Sequence, residues 1–210
     1  MIIAIDGPAG AGKSTVARRL AERLGFRYLD TGAMYRALTW LALEREVDLE
    51  DERELSALAR ENDVTVEEGG RVTVAGHDVS AAIRTVEIDR VVSSVARHQA
   101  VREVLRERQR ALAAEGNAVM EGRDIGAVVC PGADVKVFLT AEATERARRR
   151  VDERPGLGAN ALATDLRLRD ARDAAQMEAA PDAETIDTTD LTIDEVVDRI
   201  EALAATRARS

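Results

Sequence analysis

The chain has 210 residues, 45% hydrophobic and 33% charged, but only 2% aromatic; this suits one domain with a sizeable core of Val, Leu, Ile and Ala. A net charge of −9 argues against nucleic-acid binding through bulk charge. The single cysteine, Cys130, excludes an intrachain disulfide and suits a reducing cytoplasm, and no apolar run approaches the roughly 20 residues that span a bilayer.

In chain order, "IIAI" (2–5) predicts a short buried parallel strand. The N-terminus lacks a basic stretch before it, so it does not read as a signal peptide. "GPAGAGKST" (7–15) follows. Its glycines let the backbone curl with N–H groups turned inward, which makes a nest for phosphate oxygens. A helix starting at Lys13 adds its positive N-terminal end. Lys13 can reach the β and γ phosphates of a nucleotide, and the Ser14 hydroxyl can ligate Mg²⁺. This is the G-x-x-x-x-G-K-[ST] P-loop pattern. Val16, Ala17, Leu20, Ala21 and Leu24 then recur at helical spacing, and Gly25 stands where a glycine ends a helix.

"FRYLD" (26–30) predicts a second strand, with Asp30 or Thr31 capping a helix after it. Period-two alternation in "VTVEEGGRVTV" (64–74) around Gly69-Gly70 predicts a β-hairpin inserted in the α/β core. Residues 99–115 read as a helix, with Val101, Val104, Leu105 and Leu112 on one side. Strands follow at "NAVMEG" (117–122), ending at Glu121, at "VKVFLT" (135–140) and at "ETID" (184–187). Between the last two, the arginine-dense stretch 142–176, with its turn-prone "RPGLGAN", reads as a solvated helix pair or as a mobile lid; the P-loop favours the lid. Thr192 with Glu195 is a capping box for a final helix, and the tail "ATRARS" is expected to fray. This alternation predicts an α/β fold, a central parallel sheet flanked by helices, with ligands gathered at the carboxyl ends of its strands.

Three further stretches carry candidate chemistry. In "LDTGAMYR" (29–36), Tyr35 and Arg36 follow a strand end, where an arginine can grip a phosphate bidentately. In "EGRDIG" (121–126), Arg123 and Asp124 are a structural ion pair or a recognition pair. An aspartate can accept from an exocyclic amine such as that of cytosine. In "RDARDAAQ" (169–176), Arg169, Asp173 and Gln176 share a helical face, either as a surface ion pair or as ligand contacts. The carboxylate assisting Ser14 at Mg²⁺ stays open among Asp6, Asp30 and Asp124. Two histidines and one cysteine do not favour a Cys/His zinc site, and His77 and His98 read as surface residues.

With these stretches together, the chain resembles the bacterial cytidylate kinases among P-loop nucleoside monophosphate kinases. The resemblance rests on "DGPAGAGKST", "LDTGAMYR", "IRTVEIDRVVSSVA", "VREVLRERQR", "EGRDIGAVVCPGADVKVFL" and "RDARD", across nearly the whole chain. It implies a single P-loop kinase domain over 1–210, with a monophosphate-binding part at about 31–98 that carries the hairpin, and a lid at about 142–176. It implies transfer of the γ-phosphoryl of ATP to CMP or dCMP with Mg²⁺, by a cytoplasmic monomer that engages neither nucleic acid nor membrane.

By motif, Gly7, Pro8, Ala9, Gly10, Ala11, Gly12, Lys13, Ser14 and Thr15 would hold the ATP phosphates, with Ser14 at the metal. Thr31, Tyr35 and Arg36 would line the CMP site. Ser93 and Arg102 would help bind cytosine, together with Asp124. Arg123 would face the CMP phosphate, and Arg169 and Asp173 would reach phosphate and ribose. Lys13, Arg123 and Arg169 are thus the expected catalytic cations. One departure stands out: where the family often has RDxxDxxR, the last position here is Gln176, which cannot neutralise phosphate charge.

Overall fold

The computed structural model describes residues 1–67, 69–153, 158–177 and 179–208. The chain divides into two compact units, Met1–Tyr28 with Gly116–Ser210, and Leu29–Glu115. The second is wider than the 31–98 stretch marked out from sequence.

The first unit is built on a sheet. β1 (Ile2–Asp6) lies at its centre, and the strand order is β2 (Arg27–Asp30), β6 (Ala118–Glu121), β1, β7 (Val135–Thr140), β8 (Glu184–Asp187). β1 runs parallel to β6, Ile2 opposite Ala118, and to β7, Ile3 opposite Val135; β7 runs parallel to β8. Parallel neighbours need long crossovers, which helices supply. α1 (Lys13–Leu24) and α8 (Ile193–Arg207) pack Val16, Leu20, Val197 and Ile200 against Ile3, Ile5, Val137 and Leu139. α6 (Ala143–Glu153) and α7 (Ala159–Asp173) occupy the arginine-dense stretch.

Local signals explain the boundaries. Gly12 opens α1 in the left-handed region at φ 88°, and Gly25 closes it at φ 66°, conformations that cost a residue with a Cβ about 1–2 kcal/mol. The Thr192–Glu195 capping box forms in full. Of the tail expected to fray, Ala205, Thr206 and Arg207 continue α8, and the Ala208 amide donates to Ala204 O at 3.0 Å. Residues 209–210 lie outside the described residues, as do 154–157 of "RPGLGAN" and Glu68 within the expected hairpin.

The second unit has its own core. α2 (Thr31–Glu44) packs on a small antiparallel sheet and against α3 (Glu52–Glu61), α4 (Val86–Ala96) and α5 (Gln99–Ala114). Leu38, Leu41, Leu55, Val72, Val74, Val95 and Leu105 pack together there. β3 (Val64–Val66) and β4 (Val72–Val74) are the expected hairpin pair; β5 (His77–Asp78) adds a strand that the alternation did not reveal. Asp30, rather than Thr31, caps α2 by accepting from Ala33 N at 2.9 Å. His77 is exposed beside Trp40, whereas His98 is only partly exposed and donates to Leu49 O at 2.8 Å.

Candidate active site

In the first unit the loop from Gly7 to Gly12 runs from β1 to α1, as the pattern requires. Gly7 sits at φ 143°, and a Cβ there would lie 2.1 Å from Leu139 O. Only glycine lets β7 approach the loop this closely. Lys13 opens α1 and is buried, its Nζ donating to Pro8 O at 2.7 Å. Burial first, then repulsion from Arg123 and Arg169 against attraction by Glu121 and Asp6, pulls the Lys13 ammonium well below its ordinary range. An arriving polyanion would reverse that repulsion and hold the lysine charged.

Ser14 and Thr15 stand exposed on the first turn of α1. The Ser14 hydroxyl donates to Glu121 Oε2 at 2.8 Å, and the same carboxylate accepts from the Tyr28 hydroxyl, whose ring lies 5.3 Å from the Arg18 guanidinium carbon. Glu121 is buried at the end of β6. Glu121 is not among Asp6, Asp30 and Asp124, the carboxylates expected beside Ser14; its place at the end of β6 is the sequence signal for it. Asp6 has another role: its two oxygens accept from Ile125 N and Gly126 N, each at 2.8 Å, holding the π-helical turn Ile125–Val129. Burial pushes its carboxyl up to about 6, partly offset by those two amides. Asp30 belongs to the α2 cap and to an ion pair with Arg84 at 2.6 Å.

Arg123 and Asp124 do not form the adjacent ion pair considered above. Arg123 instead donates to Gly7 O at 2.7 Å and to Asp173 Oδ2 at 3.1 Å, while Asp124 is buried at the entry to the π-helical turn. Arg169 lies 3.6 Å from the same Asp173 oxygen, with side-chain exposures of 16% and 11%. That is too buried for a surface ion pair. Gln176 falls on a short 3-10 turn, Ala174–Gln176, beyond the end of α7, so it does not continue the helical face of Arg169 and Asp173. The structure therefore gathers Lys13, Arg123, Arg169 and Asp173 around the phosphate loop.

In the second unit Thr31 is buried at the start of α2. Tyr35 and Arg102 come together, the Arg102 guanidinium carbon 5.8 Å from the Tyr35 ring, and Arg102 donates to Ala96 O at 3.0 Å. Ser93 is buried on α4. Arg36 is buried too, donating to Ile83 O at 3.2 Å and pairing with Asp89. Burial lowers its affinity for the proton and Asp89 works against that. Asp89 and Arg84 were not singled out from sequence, although both lie in the quoted "IRTVEIDR".

The geometry describes a phosphate loop with a lysine, a serine hydroxyl on a carboxylate, and arginines close by. Comparison with known proteins adds a family. A family model described as cytidylate kinase matches residues 3–206. A protein named cytidylate kinase from Bacillus licheniformis is 50% identical, covering 95% of this chain and 94% of its own. One of the same name from Bacillus subtilis is 48% identical over 94% and 93%. Among solved structures, a shikimate kinase from Acinetobacter baumannii in complex with shikimate covers 98% of this chain and 93% of its own, at a TM-score of 0.51 and 20% identity; that likeness concerns the P-loop kinase fold.

Proposed function

This chain belongs to the cytidylate kinase family, and on that premise we propose that it transfers the γ-phosphoryl of ATP to CMP or dCMP, releasing ADP and CDP or dCDP. The observation that carries the chemistry is the buried Lys13, opening α1 behind a glycine loop and flanked electrostatically by Arg123 and Arg169.

The acceptor oxygen belongs to a phosphate already ionised at neutral pH, so no general base is assigned. Catalysis is positioning and charge stabilisation. Residues 7–15 hold the donor phosphates, with Lys13 on the β and γ groups. Arg123 and Arg169 take up charge on the phosphoryl group and on the acceptor phosphate; Asp173, now bonded to Arg123, reaches the ribose. Thr31, Tyr35 and Arg36 bind the monophosphate, while Ser93, Arg102 and Asp124 read the base. The stretch 142–176 is assigned as a lid that keeps water from competing as acceptor.

Mg²⁺ fits the donor set here. A hydroxyl bonded to a buried carboxylate, Ser14 on Glu121, offers hard oxygens, and Mg²⁺ in such sites takes one or two protein oxygens with the phosphates and water. Ser14 and Glu121 would hold it, and when bound it neutralises charge on the β and γ phosphates. A cytoplasmic monomer acting on free nucleotides completes the proposal; the lone cysteine suits a reducing compartment, and the charge of −9 does not favour nucleic acid as a partner.

The test is ADP release from Mg·ATP with CMP, dCMP, UMP, AMP, GMP, shikimate or no acceptor. Strong stimulation by CMP and dCMP alone is expected. Stimulation by another acceptor would displace the base-site assignment, and acceptor-independent release would favour a nucleotide-hydrolysing switch.

A further inference from the structure

Every carbonyl from Gly7 to Ala11 accepts a hydrogen bond from a side chain. Gly7 O takes Arg123 at 2.7 Å, Pro8 O takes Lys13 at 2.7 Å, and Ala9 O takes Arg146 at 3.1 Å. Gly10 O takes Arg149 at a long 3.4 Å, and Ala11 O takes the Thr188 hydroxyl at 3.2 Å. Lys13 and Arg123 already have work at the phosphates. Arg146 and Arg149 stand on α6, at the start of the stretch assigned as a lid, and Thr188 follows directly on β8; none of the three is among the residues named above as binding nucleotide.

Thr188 is the junction of this set. It is 3% exposed. Arg149 grips it twice, Nη1 to Oγ1 at 3.0 Å and Nη2 to the carbonyl at 2.7 Å, while Glu145 holds Arg149 Nε at 2.9 Å. With Arg149 donating to Oγ1, the hydroxyl keeps one proton. Its acceptors are Ala11 O and Thr140 O, the latter at 3.0 Å. A peptide unit is planar and trans, so its carbonyl and the next N–H point in opposite directions. Restraining Ala11 O therefore restrains the N–H of Gly12, the residue held at φ 88° where α1 begins.

We propose that Thr188 and Arg149 are positioning residues for the donor nucleotide: Arg149 sets the Thr188 hydroxyl, and Thr188 sets the loop peptide whose amide faces phosphate. The pair acts on ATP and ADP and leaves the acceptor nucleotide alone. This rests on residues 7–15 being the nucleotide phosphate site. It does not depend on which acceptor is used.

Calorimetric binding of ADP and, separately, of CMP tests it, using the full chain and the variants Thr188→Val, Thr188→Ser and Arg149→Gln. Thr188→Val keeps the shape and removes the hydroxyl. ADP affinity should fall about ten-fold in Thr188→Val and Arg149→Gln, the scale of one lost hydrogen bond at a buried group. Thr188→Ser should recover to within about three-fold, and CMP affinity should stay within about two-fold throughout. In turnover the same variants should raise KM for ATP and not KM for CMP. ADP affinity unchanged in both disabling variants would overturn the proposal. So would a parallel loss of ADP and CMP affinity with a lowered Tm, the mark of a merely structural role. Should Thr188→Val not fold, Arg149→Gln, altered on a partly exposed helix face, decides alone. A parent protein that binds ADP without phosphorylating CMP would sink the proposed activity and leave this measurement intact.

Discussion

The carboxylate of Glu121 accepts the Ser14 hydroxyl bond at 2.8 Å across 107 positions of sequence. It joins the end of β6 to the first turn of α1, the two places where a metal-bearing nucleotide would be gripped. Replacing Glu121 with Gln removes the charge and puts an amide donor before one of two hydroxyls, Ser14 or Tyr28. Support of this kind is typically worth about 10–100-fold in metal affinity or activity. The Mg²⁺ concentration for half-maximal ADP release should rise by about that factor, with KM for CMP little changed. An unaltered Mg²⁺ titration would remove Glu121 from the metal.

Lys13 stands on Pro8 O, one swing from the expected phosphates. Lys13→Ala should lower kcat by roughly 10²–10³, as when a donor at a developing charge is lost, with calorimetric CMP affinity largely preserved. Activity within about a factor of ten of the parent would show that another cation carries this role.

Asp124, buried after β6, is assigned to the exocyclic amine of cytosine. Uracil presents an oxygen at that place, leaving two acceptors opposed. A cost of roughly 1–3 kcal/mol favours CMP over UMP by about ten- to two-hundred-fold. Asp124→Asn should shrink that ratio of kcat/KM values; an unchanged ratio moves the selectivity to other residues.

Two glycines with positive φ separate crowding from backbone preference. Gly25, at φ 66°, has open space where a methyl would stand, so Gly25→Ala should cost only about 1–2 kcal/mol. At Gly7 the same methyl would meet Leu139 O at 2.1 Å, and β7 would have to move from the loop. Gly7→Ala should lower Tm far more than Gly25→Ala and abolish ADP binding. Equal thermal shifts in the two variants would contradict the close approach.

Asp6 gives a pH signature. Burial places its carboxyl at about 6 against an ordinary 3.8, so the folded chain holds this proton more tightly than the unfolded one. Stability from this group is complete below pH 3.8 and is lost as pH rises through about 6. The loss amounts to about 3 kcal/mol at neutral pH, since each tenfold difference in proton affinity between the folded and unfolded chain is worth about 1.4 kcal/mol. Denaturant unfolding of the parent and of Asp6→Asn across about pH 4 to 7 should show a difference that declines by roughly that amount. A flat difference would mean that Asp6 titrates normally.

Much of this molecule was written locally. The glycine loop before Lys13, the turn at Gly25, the Thr192–Glu195 box and the strands at 135–140 and 184–187 follow from φ freedom, capping and apolar runs within a few residues. The whole-chain likeness to cytidylate kinases was legible for the same reason: its motifs are contiguous. Tertiary structure alone decided which partners those residues meet. Glu121 on Ser14, Asp89 on Arg36, and Arg149 with Thr188 behind the loop join residues 107, 53 and 39 positions apart. A hydrogen bond between distant elements leaves no periodicity in either one. It exists only once the packing of strands and helices has brought the two side chains within about 3 Å.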